Sequence, residues 1–198
     1  ILLVGGSGFL GRNCLEYLRS HEVVIIGRQP SLYFSTAKTH KYYQLDILNT
    51  EATEKFLKQN TYSHLLFLAS PPTPPHNSMD HIFFSAGSLY FLNRFSEFNP
   101  ASRIVFLGSI HEVNGTDSKE QNDLADNGPS NIYGLSKRYV YECMKVLLED
   151  RLKQISFCWV RLSNVYGPGD HRHKLLTSII LNALDKKKFI LKNPKMLV

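Results

Sequence analysis

Six short apolar, β-branched runs recur along the chain, separated by stretches with helical spacing, and this alternation constrains the fold more than any other feature. The runs are Ile1–Val4, Val23–Ile26, Tyr42–Leu45, Leu65–Ala69, Ile104–Leu107 and Ile155–Val160. They are almost unbroken by polar residues, as strands covered on both faces should be. Strand and helix in repetition predict an α/β protein with a doubly wound parallel sheet. Three stripes supply covering helices: Leu10, Cys14, Leu15 and Leu18; Ile82, Phe83, Ala86, Leu89 and Tyr90; and Val140, Cys143, Met144, Leu147 and Leu148. Asp80 is placed to cap the second. Pro71–Pro75 and the polar stretch Asn114–Asn131 read as loops. Leu175, Leu176, Ile179, Ile180, Ala183 and Leu184 predict one more amphipathic helix after the sixth run.

A chain of 198 residues with 43% hydrophobic content suffices for one large domain and part of a second, and excludes disorder. No apolar run approaches the ~20 residues of a membrane-spanning helix, and Ile1–Val4 is too short for a signal-peptide core, so a cytoplasmic protein is expected. The first residue is not Met, which leads us to expect a few residues before it. Cys14, Cys143 and Cys158 are odd in number and far apart, which excludes a disulfide framework or structural zinc and predicts buried free thiols. The net charge of +6 is local. Residues 1–170 balance, whereas Arg172, Lys174, Lys186, Lys187, Lys188, Lys192 and Lys195 face Asp185 alone. Such a tail suits a phosphorylated ligand, or is a solvated helix face.

Gly5-Gly6-Ser7-Gly8-Phe9-Leu10-Gly11 follows the first strand and opens the first helix. One glycine permits the tight turn, another lets backbone N–H groups approach a pyrophosphate, and the third brings helix close to strand. The spacing therefore points to a dinucleotide. The second strand ends in Ile26-Gly27-Arg28, where an acid would accept the ribose hydroxyls of NAD and an Arg accommodates the 2′-phosphate of NADP. No acid is present, so Arg28 favours NADP, with NAD possible. Asp46 ends the third strand, where an adenine amino group would be bound.

Tyr133 and Lys137 stand four residues apart on one helix face. A nearby ammonium favours phenolate, which would make the Tyr a usable general acid/base. Together with GGSGFLG at 5–11, Asp46-Ile47, Leu68-Ala69, YGLSK at 133–137 and RLSNVYGPG at 161–169, the pair makes the sequence resemble the extended short-chain dehydrogenase/reductases, the NAD-dependent epimerase/dehydratase family. The resemblance runs from Ile1 to about Leu191. It implies a Rossmann fold over 1–163 that binds the dinucleotide, and the beginning of a smaller substrate-binding region over 164–198 whose remainder is absent. It also implies cofactor contacts from Gly5, Ser7, Gly8, Phe9, Leu10, Gly11, Arg28, Asp46, Ile47, Ala69, Tyr133 and Lys137. Tyr133 inherits proton exchange with a sugar hydroxyl or ketone, and Lys137 the lowering of its pKa. Asn164 and Arg172 fall where a nucleotide-sugar substrate is bound, and homodimerisation through the second and third helices is implied.

The fifth-strand motif departs from the family's pattern. Ser109-Ile110-His111-Glu112-Val113-Asn114-Gly115 puts Ile110, which lacks a hydroxyl, at the usual catalytic Ser or Thr. Ser109 is expected to substitute, or His111 to donate to the substrate instead. Phe84 also stands where the family often has Asn. Glu112 matches an acidic residue of members that dehydrate or decarboxylate the sugar, without the usual Thr and Asp beside it. The reading is therefore an NAD(P)-dependent enzyme acting on a nucleotide sugar, an epimerase or 4-ketosugar reductase ahead of a dehydratase. Its competitors are a non-catalytic NADP-binding sensor or scaffold, and an NADPH-dependent reductase of a non-sugar ketone such as a steroid or flavonoid. No metal is expected, because His171-Arg172-His173 lacks a third ligand. Asn114-Gly115-Thr116 is a glycosylation pattern without consequence in the cytoplasm. No membrane partner is expected, nor nucleic acid, since the basic tail has no aromatic platform.

Overall fold

The computed structural model describes residues 1–30, 38–71, 75–113, 128–149 and 155–190. It divides into two compact units, Ile1–Ser163 and Asn164–Val198. The first unit holds a six-stranded parallel sheet, in which the strands are β1 (Leu2–Val4), β2 (Val23–Gly27), β3 (His40–Gln44), β4 (His64–Phe67), β5 (Arg103–Ser109) and β6 (Ser156–Leu162). Their spatial order is β3-β2-β1-β4-β5-β6, the doubly wound arrangement expected from the alternating runs. The order reverses between β1 and β4, where Leu2 pairs with Leu65 and Val4 with Phe67. A crevice for a ligand opens at that reversal in such sheets, outside the carboxyl ends of the strands.

Both faces are covered, as the unbroken apolar strands require. Leu2 and Val4 enter a large core with Ile26, Phe67, Phe91, Phe95, Phe106 and Met144. Leu3, between them, points the other way into a smaller core with Leu15, Val23 and Ile25. The helices of this unit are α1 (Phe9–Tyr17), α2 (Thr50–Lys58), α3 (Asp80–Phe98) and α4 (Ile132–Glu149). An aromatic stack ties the far half of the sheet together: Phe67 lies 4.8 Å from Phe106 and Phe106 4.5 Å from Trp159, centroid to centroid on paired residues of β4, β5 and β6.

Three expectations need correction, and one helix went unpredicted. The apolar stripe predicted for α3 is not its buried face: Phe83 is 65% exposed, and His81, Phe84, Ser85, Ser88, Phe91, Leu92, Phe95 and Ser96 are buried instead. Serine can line that face because its hydroxyl is satisfied within the helix, Ser88 donating to the Phe84 carbonyl and Ser96 to that of Asn93. Asp80 is not the cap of α3. The cap position is Met79, and the Ser78 hydroxyl accepts the Asp80 N–H. Helix α2 was not among the predicted stripes because it buries only Thr53, Phe56 and Leu57; it is started by Asn49, whose side chain accepts the Ala52 N–H. The thiols are free but not buried, Cys14 and Cys143 being half-buried and Cys158 exposed on β6. Residues 72–74 and 114–127 of the two predicted loops lie outside the described residues, with the glycosylation pattern, Lys192 and Lys195. Among the described residues no helix is long and apolar enough to cross a membrane.

The second unit contains α5 (Leu175–Leu184), at the amphipathic segment predicted there. Asp170 is buried ahead of it, paired with Lys174 at 2.9 Å and accepting the Thr177 hydroxyl at 3.0 Å.

Candidate functional site

Two turns at the carboxyl ends of β1 and β5 make the site. In the first, Gly5 has φ +84°, and a Cβ there would lie 2.7 Å from the Ala69 backbone at the end of β4. A Cβ on Gly11 would lie 2.4 Å from the Gly5 carbonyl oxygen, so the helix meets the turn backbone against backbone. Ser7 lies in the same turn, and Phe9 and Leu10 open α1. Gly8 caps α1 with no side-chain hydrogen bond, and the first turn has no acidic side chain. A helix start with neither a side-chain cap nor an acid suits an anion such as a pyrophosphate.

Arg28 is exposed just past β2. Beside it the Tyr42 hydroxyl donates to the Gly27 carbonyl at 2.9 Å and also to that of Gln29, and the Gln44 side chain donates to the Arg28 carbonyl at 3.0 Å. Asp46 follows β3 and accepts the Leu48 N–H at 3.0 Å, and Ile47 is buried behind it.

The second turn is a single 3-10 turn, Ile110–Glu112, started by Ser109. Ser109 and Glu112 form a capping box: the Ser109 hydroxyl accepts the His111 N–H at 3.3 Å, and Glu112 Oε1 accepts the Ser109 N–H at 2.6 Å. The Ser109 side chain also pulls the Tyr133 phenol's pKa down, as a hydroxyl standing beside it would. The hydroxyl nearest in sequence to Ile110 is thus the one that starts the turn.

Tyr133 stands in the first turn of α4, whose start is held from two sides. Asn131 accepts the Gly134 N–H at 2.8 Å, and the segment before α3 contributes the His76 carbonyl to the Tyr133 N–H at 2.8 Å and the Asn77 side chain to the Ile132 N–H at 3.2 Å. Three imidazoles surround the phenol ring: His81 at 5.0 Å, His76 stacked at 5.6 Å and His111 at 5.8 Å between centroids. Burial, and then His76, pull the His111 pKa down. The sequence reading singled out His111 alone, because residues from three separate segments meet here and no local spacing joins them.

Lys137 is buried and donates to the Leu107 carbonyl at 3.0 Å, with its ammonium 5.0 Å from the Phe106 ring centroid. Burial brings its pKa to about 8, against the opposing pull of Glu112. Burial pushes the Tyr133 phenol above 10; the Ser109 hydrogen bond opposes the rise and Glu112 adds to it. The phenol thus stands above its ordinary value rather than below it, since burial outweighs the other influences and Lys137 is turned to a backbone carbonyl.

In the second unit, Asn164, Tyr166 and Arg172 are exposed. Tyr166, Asp170, Arg172, Thr177 and Ile180 border a hollow of about 530 Å³. His171 and His173 stack at 5.9 Å, and among the described residues no group of three or more His, Cys, Asp or Glu is placed to hold a metal ion.

The model of the NAD dependent epimerase/dehydratase family matches residues 1–196. The chain belongs to that family. The resemblance seen in its motifs is thereby confirmed over nearly the whole length. No curated protein matches it. Among solved structures it is similar to the UDP-N-acetylglucosamine 4-epimerase of Methanobrevibacter ruminantium M1, crystallised with UDP-N-acetylmuramic acid, at 18% identity and a TM-score of 0.76 over 94% of this chain and 63% of that one. The UDP-glucose 4-epimerase of Thermotoga maritima, with UDP-glucose, gives 17% and 0.76 over 94% and 63%. The dTDP-glucose 4,6-dehydratase of Bacillus anthracis, with NAD, gives 18% and 0.71 over 94% and 62%. The likeness establishes the shared fold. The chain spans about three fifths of the length of these family enzymes.

Proposed function

We propose that the chain carries the dinucleotide-binding domain, and the start of the substrate region, of an oxidoreductase that moves hydride and proton at a carbon of a nucleotide sugar, as an epimerase or 4-ketosugar reductase. The observation that carries this reading is the pair Tyr133 and Lys137 one turn apart on α4, with Tyr133 set against the turn that Ser109 starts. Bound NAD(P) supplies the hydride donor or acceptor. The glycine turn and the start of α1 hold its pyrophosphate, Arg28 meets an adenosine 2′-phosphate, and Asp46 and Ile47 border the adenine. Tyr133 exchanges the proton of the reacting hydroxyl, with Ser109 donating to the phenol oxygen as negative charge develops there. Lys137 holds the nicotinamide ribose. Asn164, Arg172 and His111 contact the sugar nucleotide. Arg28, with no acid at the end of β2, favours NADP over NAD.

Exposed Met79 just before α3 and Phe83 on it, with Leu135, Tyr139 and Val146 on α4, give a second copy an apolar surface to cover. Fluorescence titration with NADPH and NADH, followed by sedimentation of the same sample, tests the reading. Tight NADPH binding, weakened selectively by Arg28→Ala, is expected, with a dimer in the centrifuge. Binding of neither dinucleotide would remove the basis of the proposal, binding without turnover of any sugar nucleotide or lipophilic ketone would favour the sensor, and a monomer would reject the dimer.

A further inference from the structure

At position 112 a carboxylate would be taken for an acid or base of the reaction, yet Glu112 is wholly buried. Its Oε1 accepts the Ser109 N–H at 2.6 Å. Its Oε2 accepts the Trp159 indole N–H at 2.9 Å and the Arg161 Nε–H at 3.1 Å, both from β6. The space around it is shaped for this: a Cβ on Gly108 would fall 2.4 Å from Glu112 Oε1 and 2.2 Å from Trp159 Nε1, so only a bare backbone fits at that point of β5. On the other side, a Cβ on Gly134 would fall 1.9 Å from the His111 carbonyl oxygen. The turn is therefore packed between β6 and the first turn of α4.

We infer that Glu112 is a positioning residue: bridged to Arg161 and Trp159, it fixes the start of the turn so that the Ser109 hydroxyl meets Tyr133, and thereby makes good the hydroxyl missing at Ile110. Its two oxygens are both engaged with fixed donors, which leaves no carboxylate to withdraw or deliver a substrate proton. This deepens the proposed function, resting on Tyr133 as the proton-exchanging group, and it selects epimerase or reductase over an elimination that needs a free carboxylate here. Ser109 accepts the His111 N–H, so its own proton is available to the phenol.

The near-isosteric Glu112→Gln separates this role from a purely electrostatic one. An amide has one acceptor oxygen where the lock uses two, so either Ser109 or the β6 donors must be released. Uniform 3-fluorotyrosine labelling of the full chain lowers phenol pKa values into a range the fold withstands, and Tyr133→Phe assigns the Tyr133 signal among ten tyrosines. Ser109→Ala should raise the Tyr133 titration midpoint. Removing the Glu112 charge alone would lower it, because the carboxylate disfavours phenolate. The positioning role predicts a rise in Glu112→Gln like that in Ser109→Ala, with no further rise in the double variant. A fall, or additive rises, would overturn the inference. Arg161→Lys keeps the cation but loses the Nε contact and should raise the midpoint too; an unchanged midpoint there rejects the lock even if Glu112→Gln does not fold. No substrate is involved, so a chain without turnover would fail the functional reading and leave this result standing.

Discussion

The turn after β1 and the turn after β5 sit at the same edge of one sheet, yet they are built from opposite materials. The glycine turn is backbone against backbone, with Gly8 donating its N–H to the Gly5 carbonyl at 3.1 Å and Gly11 packed on the same oxygen. The Ser109–Glu112 turn is held by its own side chains and by those of β6, centred on one fully buried carboxylate, with Gly134 of α4 packed on the His111 carbonyl. A backbone site announces itself in the spacing of its glycines, because each close approach forbids a Cβ at a definite position. A side-chain site does not, because its partners are chosen by strand order and not by distance along the chain: Glu112 and Trp159 are 47 residues apart.

The sharpest way to break the comparison is to empty the side-chain turn of its cation. Arg161→Met removes a charged partner of a buried carboxylate and should cost about 3 kcal/mol, at the lower end for a broken buried pair because the Arg side chain is partly exposed. Urea unfolding measures it; a loss under about 1 kcal/mol would mean that Trp159 and the Ser109 amide suffice to hold Glu112. At the backbone turn, Gly11→Ala forces a methyl against the Gly5 carbonyl and the Gly6 Cα and should cost about 2 kcal/mol, together with much of the dinucleotide affinity. Wild-type affinity in that variant would show that the turn yields more readily than its geometry implies. The smallest effect depends on pH. GGSGFLG carries no titratable side chain, whereas Lys137 beside the other turn falls from 10.5 to about 8 on folding. Between those values the unfolded chain holds more protons, so the buried ammonium costs stability below about pH 8 and the cost fades as pH rises towards 10.5. Relative to Lys137→Met, the wild type should gain up to about 1 kcal/mol for each pH unit from about pH 8 to about pH 10. A difference flat with pH would place the folded Lys137 pKa near its ordinary value.

The expected residues differ in how well the sequence located them. Tyr133 and Lys137 were legible together because one helix turn fixes their separation. Ser109 was legible only as a substitute for Ile110, and the fold makes it the start of the turn that packs on α4. Glu112 illustrates a local signal with two readings: Ser-x-x-Glu is also the spacing of a capping box, and its backbone bond to Ser109 follows from that spacing alone. Its links to Trp159 and Arg161 do not. His76 and His81 were missed because nothing local ties an imidazole before α3 to a phenol that opens α4.

By itself, then, the sequence determined the alternation of strand and helix, the parallel sheet that it demands, the glycine turn and the Tyr–Lys pair. Each rests on a period or a steric exclusion within a few residues. The tertiary structure decided which face of α3 is buried, since apolar residues occur on more than one side and only packing against the sheet and the neighbouring helices selects among them. It also decided what Glu112 does. A carboxylate becomes an anchor or a reagent according to the donors that surround it, and those donors arrive from strands that meet only when the sheet is assembled.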